Sequence, residues 1–128
     1  HTIIPALATR DDGSLYASFG VMGGFMQPQG HVQVVLGLID DGLDPQTILD
    51  RPRLCIRGGS PEEEIAIETG TPIETLESLA QWGHAVESIE GYDRAVFGRG
   101  QVILRDPETG VLCGGSDPRA DGCAVGLP

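Results

Sequence analysis

The residues whose types and spacing suit chemistry lie in one stretch, Gly20-Val21-Met22-Gly23-Gly24-Phe25-Met26-Gln27-Pro28-Gln29-Gly30-His31. A strand-like run, Leu15 to Phe19, leads into it, and an amphipathic helix beginning near Pro28 leads out. Paired glycines allow a sharp bend that brings bare N–H groups close to a ligand. A glycine bend at a helix start also gathers unpaired donors and the positive end of the helix dipole. Negative charge is stabilised there, whether permanent or developing in a transition state. Gly-Gly in a strand-to-helix turn is more often plain turn chemistry than an anion site, and spacing alone leaves both readings open.

Outside this stretch a self-contained active site is hard to assemble. Ser14, Ser18, Ser60, Ser78, Ser88 and Ser116 offer hydroxyls, but no G-x-S-x-G elbow is present. His1, His31 and His84 share no metal-ligand spacing. His84 follows Gly83 at a helix end, where a cation suits the dipole, and His31 reads as a packing or supporting residue. A metal site made from His31, His84 and the cysteines is the weakest alternative. No metal and no cofactor is expected. Glu62-Glu63-Glu64 reads as a solvated strand entry. In Asp117-Pro118-Arg119 the carboxylate and guanidinium are suited to capping local backbone and pairing with each other.

The elements that must position these residues follow from punctuation and period. Thr2 to Thr9 reads as a strand, and Arg10-Asp11-Asp12-Gly13-Ser14 as the turn that returns it as Leu15 to Phe19. In the following helix Val32, Val35, Leu36, Ile39 and Leu43 keep helical spacing; with Val34 and Leu38 also apolar, most of it should be buried. Asp44-Pro45 starts a short second helix that Pro52 stops. Arg53 to Arg57 and Glu64 to Glu68 read as strands, the second half-exposed by its alternation. Thr71-Pro72-Ile73-Glu74 has the form of a capping box, opening a helix with Ile73, Leu76, Leu79 and Ala80 buried and Gly83 at its end. Ala85 to Ile89, Val96 to Arg105 and Val111 to Gly115 supply further strands, with Gly91 to Arg94 a loop. About three helices and six or seven strands, mostly in hairpins, indicate an α+β fold with mainly antiparallel sheet.

The 128 residues suffice for one domain, and 40% hydrophobic with 21% charged residues is a globular balance. A net charge of −11 and a pI of about 4.4 argue against nucleic acid and anionic membrane surfaces as partners. Cys55, Cys113 and Cys123 form no closed disulfide framework and read as small buried apolar residues. The longest apolar run, Val32 to Ile39, is too short to span a bilayer. The compartment stays open.

In combination, the motifs resemble the C-terminal part of the small subunit of the gamma-glutamyltransferase (gamma-glutamyl transpeptidase) family. The matching pieces are His-Thr-Ile-Ile-Pro at 1–5, Gly-Val-Met-Gly-Gly at 20–24, Met-Gln-Pro-Gln-Gly-His at 26–31, Asp-Gly-Leu-Asp-Pro-Gln at 41–46 and Arg-Pro-Arg at 51–53. Further along stand Glu68, Gly83-His84, Phe97-Gly98, Gln101-Val102-Ile103, Gly115-Ser116-Asp117-Pro118-Arg119 and Asp121-Gly122. The resemblance implies an N-terminal-nucleophile hydrolase αββα sandwich of two stacked antiparallel sheets between helix layers. It also implies a self-cleaving precursor whose new N-terminal Thr attacks a gamma-glutamyl carbonyl, with its own α-amino group as base. The family's Gly-Gly oxyanion hole falls on Gly23 and Gly24.

The nucleophilic Thr is expected upstream of His1, and the large-subunit Arg that grips the substrate α-carboxylate is likewise absent. His1-Thr2 stands where many members have a carboxylate-contacting Ser-Ser, and Phe25 where Ser is common. His1, Thr2 and Phe25 are therefore the substrate-binding candidates, with a gamma-glutamyl or another N-acyl amide as donor. The expectation is a single unit, 1–128, that is inactive alone. Its partners would be the large subunit and the N-terminal part of the small subunit, or a second copy through exposed sheet edges. The rival reading is a non-catalytic acidic binding or assembly domain, complete as it stands.

Overall fold

The computed structural model describes residues 3–60 and 62–127. Strand β1 (Ala6–Thr9) turns through Gly13 into β2 (Leu15–Met22), the hairpin that the Asp-Gly signal predicts. Two later strands join them, β6 (Arg99–Arg105) beside β2 and β7 (Leu112–Ser116) beside β6. The result is a four-stranded antiparallel sheet in the order β1-β2-β6-β7. A second sheet holds β3 (Leu54–Ile56), β4 (Ile65–Glu68) and β5 (Val86–Ile89). β4 and β5 run parallel, which requires a crossover, and α3 (Ile73–Gln81) supplies it. Among the described residues no helix is long and apolar enough to cross a membrane.

One face of the four-stranded sheet is covered by α1 (Met26–Ile39) and α2 (Pro45–Asp50). Ala17, Phe19, Val21 and Val102 of the strands pack there with Val34, Leu38, Ile48 and Leu49 of the helices. Glycines set how closely the helices approach: a Cβ on Gly30 would meet Val21 Cγ1 at 2.6 Å, and one on Gly37 would meet Ile48 Cδ1 at 2.0 Å. This close approach corrects the expected face of α1. Its buried residues are Met26, Gln27, Gly30, Val34, Gly37 and Leu38, while Val32, Leu36 and Ile39 point to solvent. The opposite sheet face is open, with Leu7, Met22 and Ile103 exposed along it.

Three further expectations are revised. All four residues of β4 are buried, because it is the central strand of its sheet and both faces are covered. No capping box forms: Pro72 stands at the N-cap without a side-chain bond, and Thr71 Oγ1 donates instead to Glu68 O at 2.9 Å. α3 has no fully buried residue, with Leu76 and Leu79 half-buried and Ile73 exposed. The Asp44 cap does form, its carboxylate accepting from the amides of Gln46 and Thr47. Gly91–Phe97 is a 3₁₀ segment, so the strand expected from Val96 begins only at Arg99.

Candidate active site

β2 ends at Met22, and the bend follows at once. Gly23 has φ of 144° and Gly24 of 61°, both in the region that favours glycine. Their carbonyls accept from the amides of Met26 and Gln27, each at 3.1 Å, and these bonds form the first turn of α1. The helix therefore starts at the glycines, two residues before Pro28, with Phe25 as an N-cap that makes no side-chain bond. No acidic residue stands in its first turn. Among the described residues neither the Gly23 nor the Gly24 N–H donates to a hydrogen bond. Two consecutive amides without an acceptor therefore stand just before an uncapped helix start.

The bend is held from behind by the start of β6. Gly98 has φ of 71°, and a Cβ there would lie 2.2 Å from Met22 O. A Cβ on Gly23 would in turn come within 3.0 Å of Gly98 Cα. Beyond Gly98 lies a buried ionic cluster. Asp117 Oδ2 accepts from Arg53 Nη1 and from Gly100 N, both at 2.7 Å, and Asp117 Oδ1 accepts from Arg119 Nη1 at 3.0 Å. Glu68 takes Arg119 on both carboxylate oxygens, receives Arg94 Nε, and accepts from Arg53 N at 2.9 Å. Burial pushes the Glu68 carboxyl up, but hydrogen bonds from Arg119 and Arg94 outweigh it and hold the group below 4.5. Burial likewise pushes Asp117 up, and the Arg53 charge with the surrounding amides brings it below 3.8. Arg119 also donates to the carbonyls of Leu49 and Arg51, so α2, β4 and the 117–119 turn meet on one guanidinium. The sequence showed Asp117 and Arg119 as a local pair; their partners Glu68 and Arg53 lie 51 and 64 positions from 119 and 117 and carry no periodic signal.

Phe25 is exposed and shares a cleft of about 360 Å³ with Gly24, Pro28, Gln29 and Ile56. Two glutamines fasten α1 to β3 beside it. Gln29 accepts from Ile56 N at 2.7 Å and donates to Ile56 O at 3.2 Å; Gln33 does the same for Leu54, at 3.0 Å each way. Four helical residues rise about 6 Å and two strand residues about 6.6 Å, so side chains at i and i+4 match alternate residues of an extended edge. Buried Gln27 accepts from Ile4 N at 3.1 Å and holds the segment before β1 close to the bend.

His31 meets Phe19 edge-on, with ring centroids 5.5 Å apart and an interplanar angle of 66°. Its Nε2 is buried without a partner, and burial lowers its pKa from 6.5. It is a packing residue. His84 closes the end of α3, its amide donating to Leu79 O. Among the described residues no group of three His, Cys, Asp or Glu is placed to hold a metal ion, so His31, His84 and the cysteines are not brought together. Cys55 is buried as expected, but Cys113 and Cys123 are exposed. The carboxylate-contact candidates His1 and Thr2 lie outside the described residues.

A family model described as gamma-glutamyltranspeptidase matches residues 1–127. The chain belongs to the gamma-glutamyltranspeptidase family. Cephalosporin acylase from Bacillus halodurans is 47% identical with a TM-score of 0.86, over 96% of this chain and 22% of that one. The glutathione hydrolase-like YwrD proenzyme of Bacillus subtilis is 35% identical over 99% of this chain. The oxamate amidohydrolase proenzyme of Klebsiella pneumoniae is 32% identical over 98%. The chain spans about a quarter (24%) of the length of both these curated relatives. At 23% identity the gamma-glutamyltranspeptidase of Helicobacter pylori shares the fold, with a TM-score of 0.78 over 93% of this chain and 61% of that one. This family member is thus α+β and part of an N-terminal-nucleophile hydrolase sandwich, with mainly antiparallel strands.

Proposed function

We propose that this chain is the C-terminal part of a gamma-glutamyltransferase-like enzyme and supplies its oxyanion hole from the N–H groups of Gly23 and Gly24. The parent enzyme cleaves a gamma-glutamyl or related N-acyl amide through an acyl-enzyme on an N-terminal Thr carried by the portion outside these 128 residues. Attack on the amide carbonyl places negative charge on its oxygen, and two amides already aligned at a helix start stabilise that charge without reorganisation. The acyl group then passes to water or to an amine. The observation that carries this reading is the pair of consecutive undonated amides at the bend, over a helix end with no acidic cap. Phe25, at the mouth of the adjoining cleft, contacts the donor, and His1 and Thr2 keep the carboxylate-contacting role that the family resemblance implies for their positions. The named relatives are all enzymes, a hydrolase-like proenzyme, an amidohydrolase and an acylase, which favours this reading over a non-catalytic acidic domain.

The test is turnover of gamma-glutamyl-p-nitroanilide by the full-length protein, the isolated 128-residue chain and a full-length Gly23→Ala variant. A Cβ on Gly23 must displace Gly98 and rotate the peptide, so kcat should fall about 100- to 1,000-fold, the cost of losing one oxyanion donor. The isolated chain should be inactive. Turnover by the isolated chain, or an unchanged kcat in the variant, contradicts the assignment.

A further inference from the structure

All eight basic residues are arginines, against 19 acidic ones. Among the described residues three guanidiniums, those of Arg10, Arg99 and Arg105, have no carboxylate partner. Among the described residues Arg51, Arg53, Arg57, Arg94 and Arg119 are ion-paired. Arg10 donates to two carbonyls and lies over the Tyr16 ring. Arg105, half-buried at the far end of β6, and Arg99 at its start have neither an ion pair nor such a set of carbonyls; Arg99 is the exposed one, with only a long Nε contact of 3.4 Å to Arg119 O and a 3.9 Å contact from Nη1 to Met22 Sδ.

Its position is specific. Arg99 opposes Met22 across the β2–β6 ladder, one residue from Gly23, and follows Gly98, the residue packed against the bend. It alternates with Gly100, which faces the buried cluster, and so belongs to the open sheet face. A cleft of about 330 Å³ on that face is shared by Arg99, Gln27, Met22 and Ile4, and a second of about 560 Å³ lies between Arg99, Arg94, Tyr92 and Asp121.

We infer that Arg99 is a specificity-determining residue that pairs with a carboxylate of the amide substrate. The inference rests on the proposed oxyanion role of the bend, since that role brings the scissile bond beside β6. Planar, bidentate pairing suits a guanidinium that is otherwise free of carboxylate partners. Two sources of the carboxylate exist, the acyl half and the amine half of the substrate, and matched probes separate them.

The full-length enzyme and its Arg99→Gln and Arg99→Lys variants are assayed on two pairs. Gamma-glutamyl-p-nitroanilide and its α-carboxamide differ only on the acyl side; gamma-glutamylglycine and gamma-glutamylglycinamide differ only on the amine side. In one pair, Arg99→Gln should lower kcat/KM for the charged member about 10- to 100-fold, mainly through KM, while sparing the neutral one. Arg99→Lys should recover part of the loss. Equal effects on charged and neutral members of both pairs, or no effect, overturn the assignment and mean that Arg99 serves the protein's own packing. A wild-type enzyme that turns over none of the four probes defeats the parent reading and this inference with it; an active wild type with an unselective variant defeats this inference alone.

Discussion

His31 shows how one residue's environment sets a measurable pH dependence. Burial lowers its pKa, so the folded state resists a proton that the unfolded chain accepts from 6.5 downward. The stability held by the neutral ring is therefore complete above 6.5 and is lost as pH falls from there through the depressed folded value. His31→Phe keeps the edge-on contact with Phe19 and removes the titration. Melting temperature of the full-length protein should fall between pH 6.5 and 5 in the wild type and fall less in the variant. Identical slopes would show that His31 is not the group responsible. The same position illustrates what type and spacing reveal: a histidine one turn into an amphipathic helix is legible as a packing residue, but the orphaned Nε2 is not.

At the scale of elements, the glutamine pairs between α1 and β3 carry a prediction of their own. Gln29→Ala strands the N–H and C=O of Ile56, and Gln33→Ala strands those of Leu54. Gln29→Ala should cost about 1–3 kcal/mol in chemical unfolding of the full-length protein, and Gln33→Ala, whose bonds are exposed to water, about 0.5–1.5 kcal/mol. Amide exchange at the matching strand residue should accelerate, with the other amide affected less. Uniform acceleration would place the effect in the helix instead. The Asp44-Pro45 helix start and the Asp-Gly hairpin were readable because capping and turn chemistry act within four residues. The Thr71 capping box failed because Thr71 is drawn to the Glu68 carbonyl, and the start of α1 moved because the glycine carbonyls bind the first helical amides. Both are competitions between neighbours that spacing alone does not decide.

Across the whole molecule, the Arg53–Asp117–Arg119–Glu68 cluster ties both sheets and α2 together behind the bend. Glu68→Gln leaves Arg119 buried beside a neutral amide and should cost about 3–5 kcal/mol, since breaking a buried pair from one side exposes the other charge's desolvation. The carboxyls of Glu68 and Asp117 are held below 4.5 and 3.8, so the stability they contribute is complete above those values and is lost as pH falls from them through the depressed folded ones. An acid-unfolding midpoint unchanged by Glu68→Gln would contradict this account. The open sheet face and the outward Val32, Leu36 and Ile39 of α1 set a second expectation. The isolated chain should self-associate in sedimentation, or bind the remainder of its parent, because paired edges and covered apolar faces are what such surfaces require. A clean monomer with a cooperative melt would contradict it.

Local chemistry in the sequence determined the hairpin, the proline-started α2, the glycine bend and, through the order of its motifs, the family. Those features depend on residues a few positions apart, where dihedral preference and capping dominate. Only the tertiary structure decided which face of α1 is buried, that β4 is wholly enclosed, that Glu68 closes on Arg119, and that Arg99 is left without a carboxylate. Each depends on groups brought together from distant parts of the chain, and no periodicity in the sequence records which charge will find which partner.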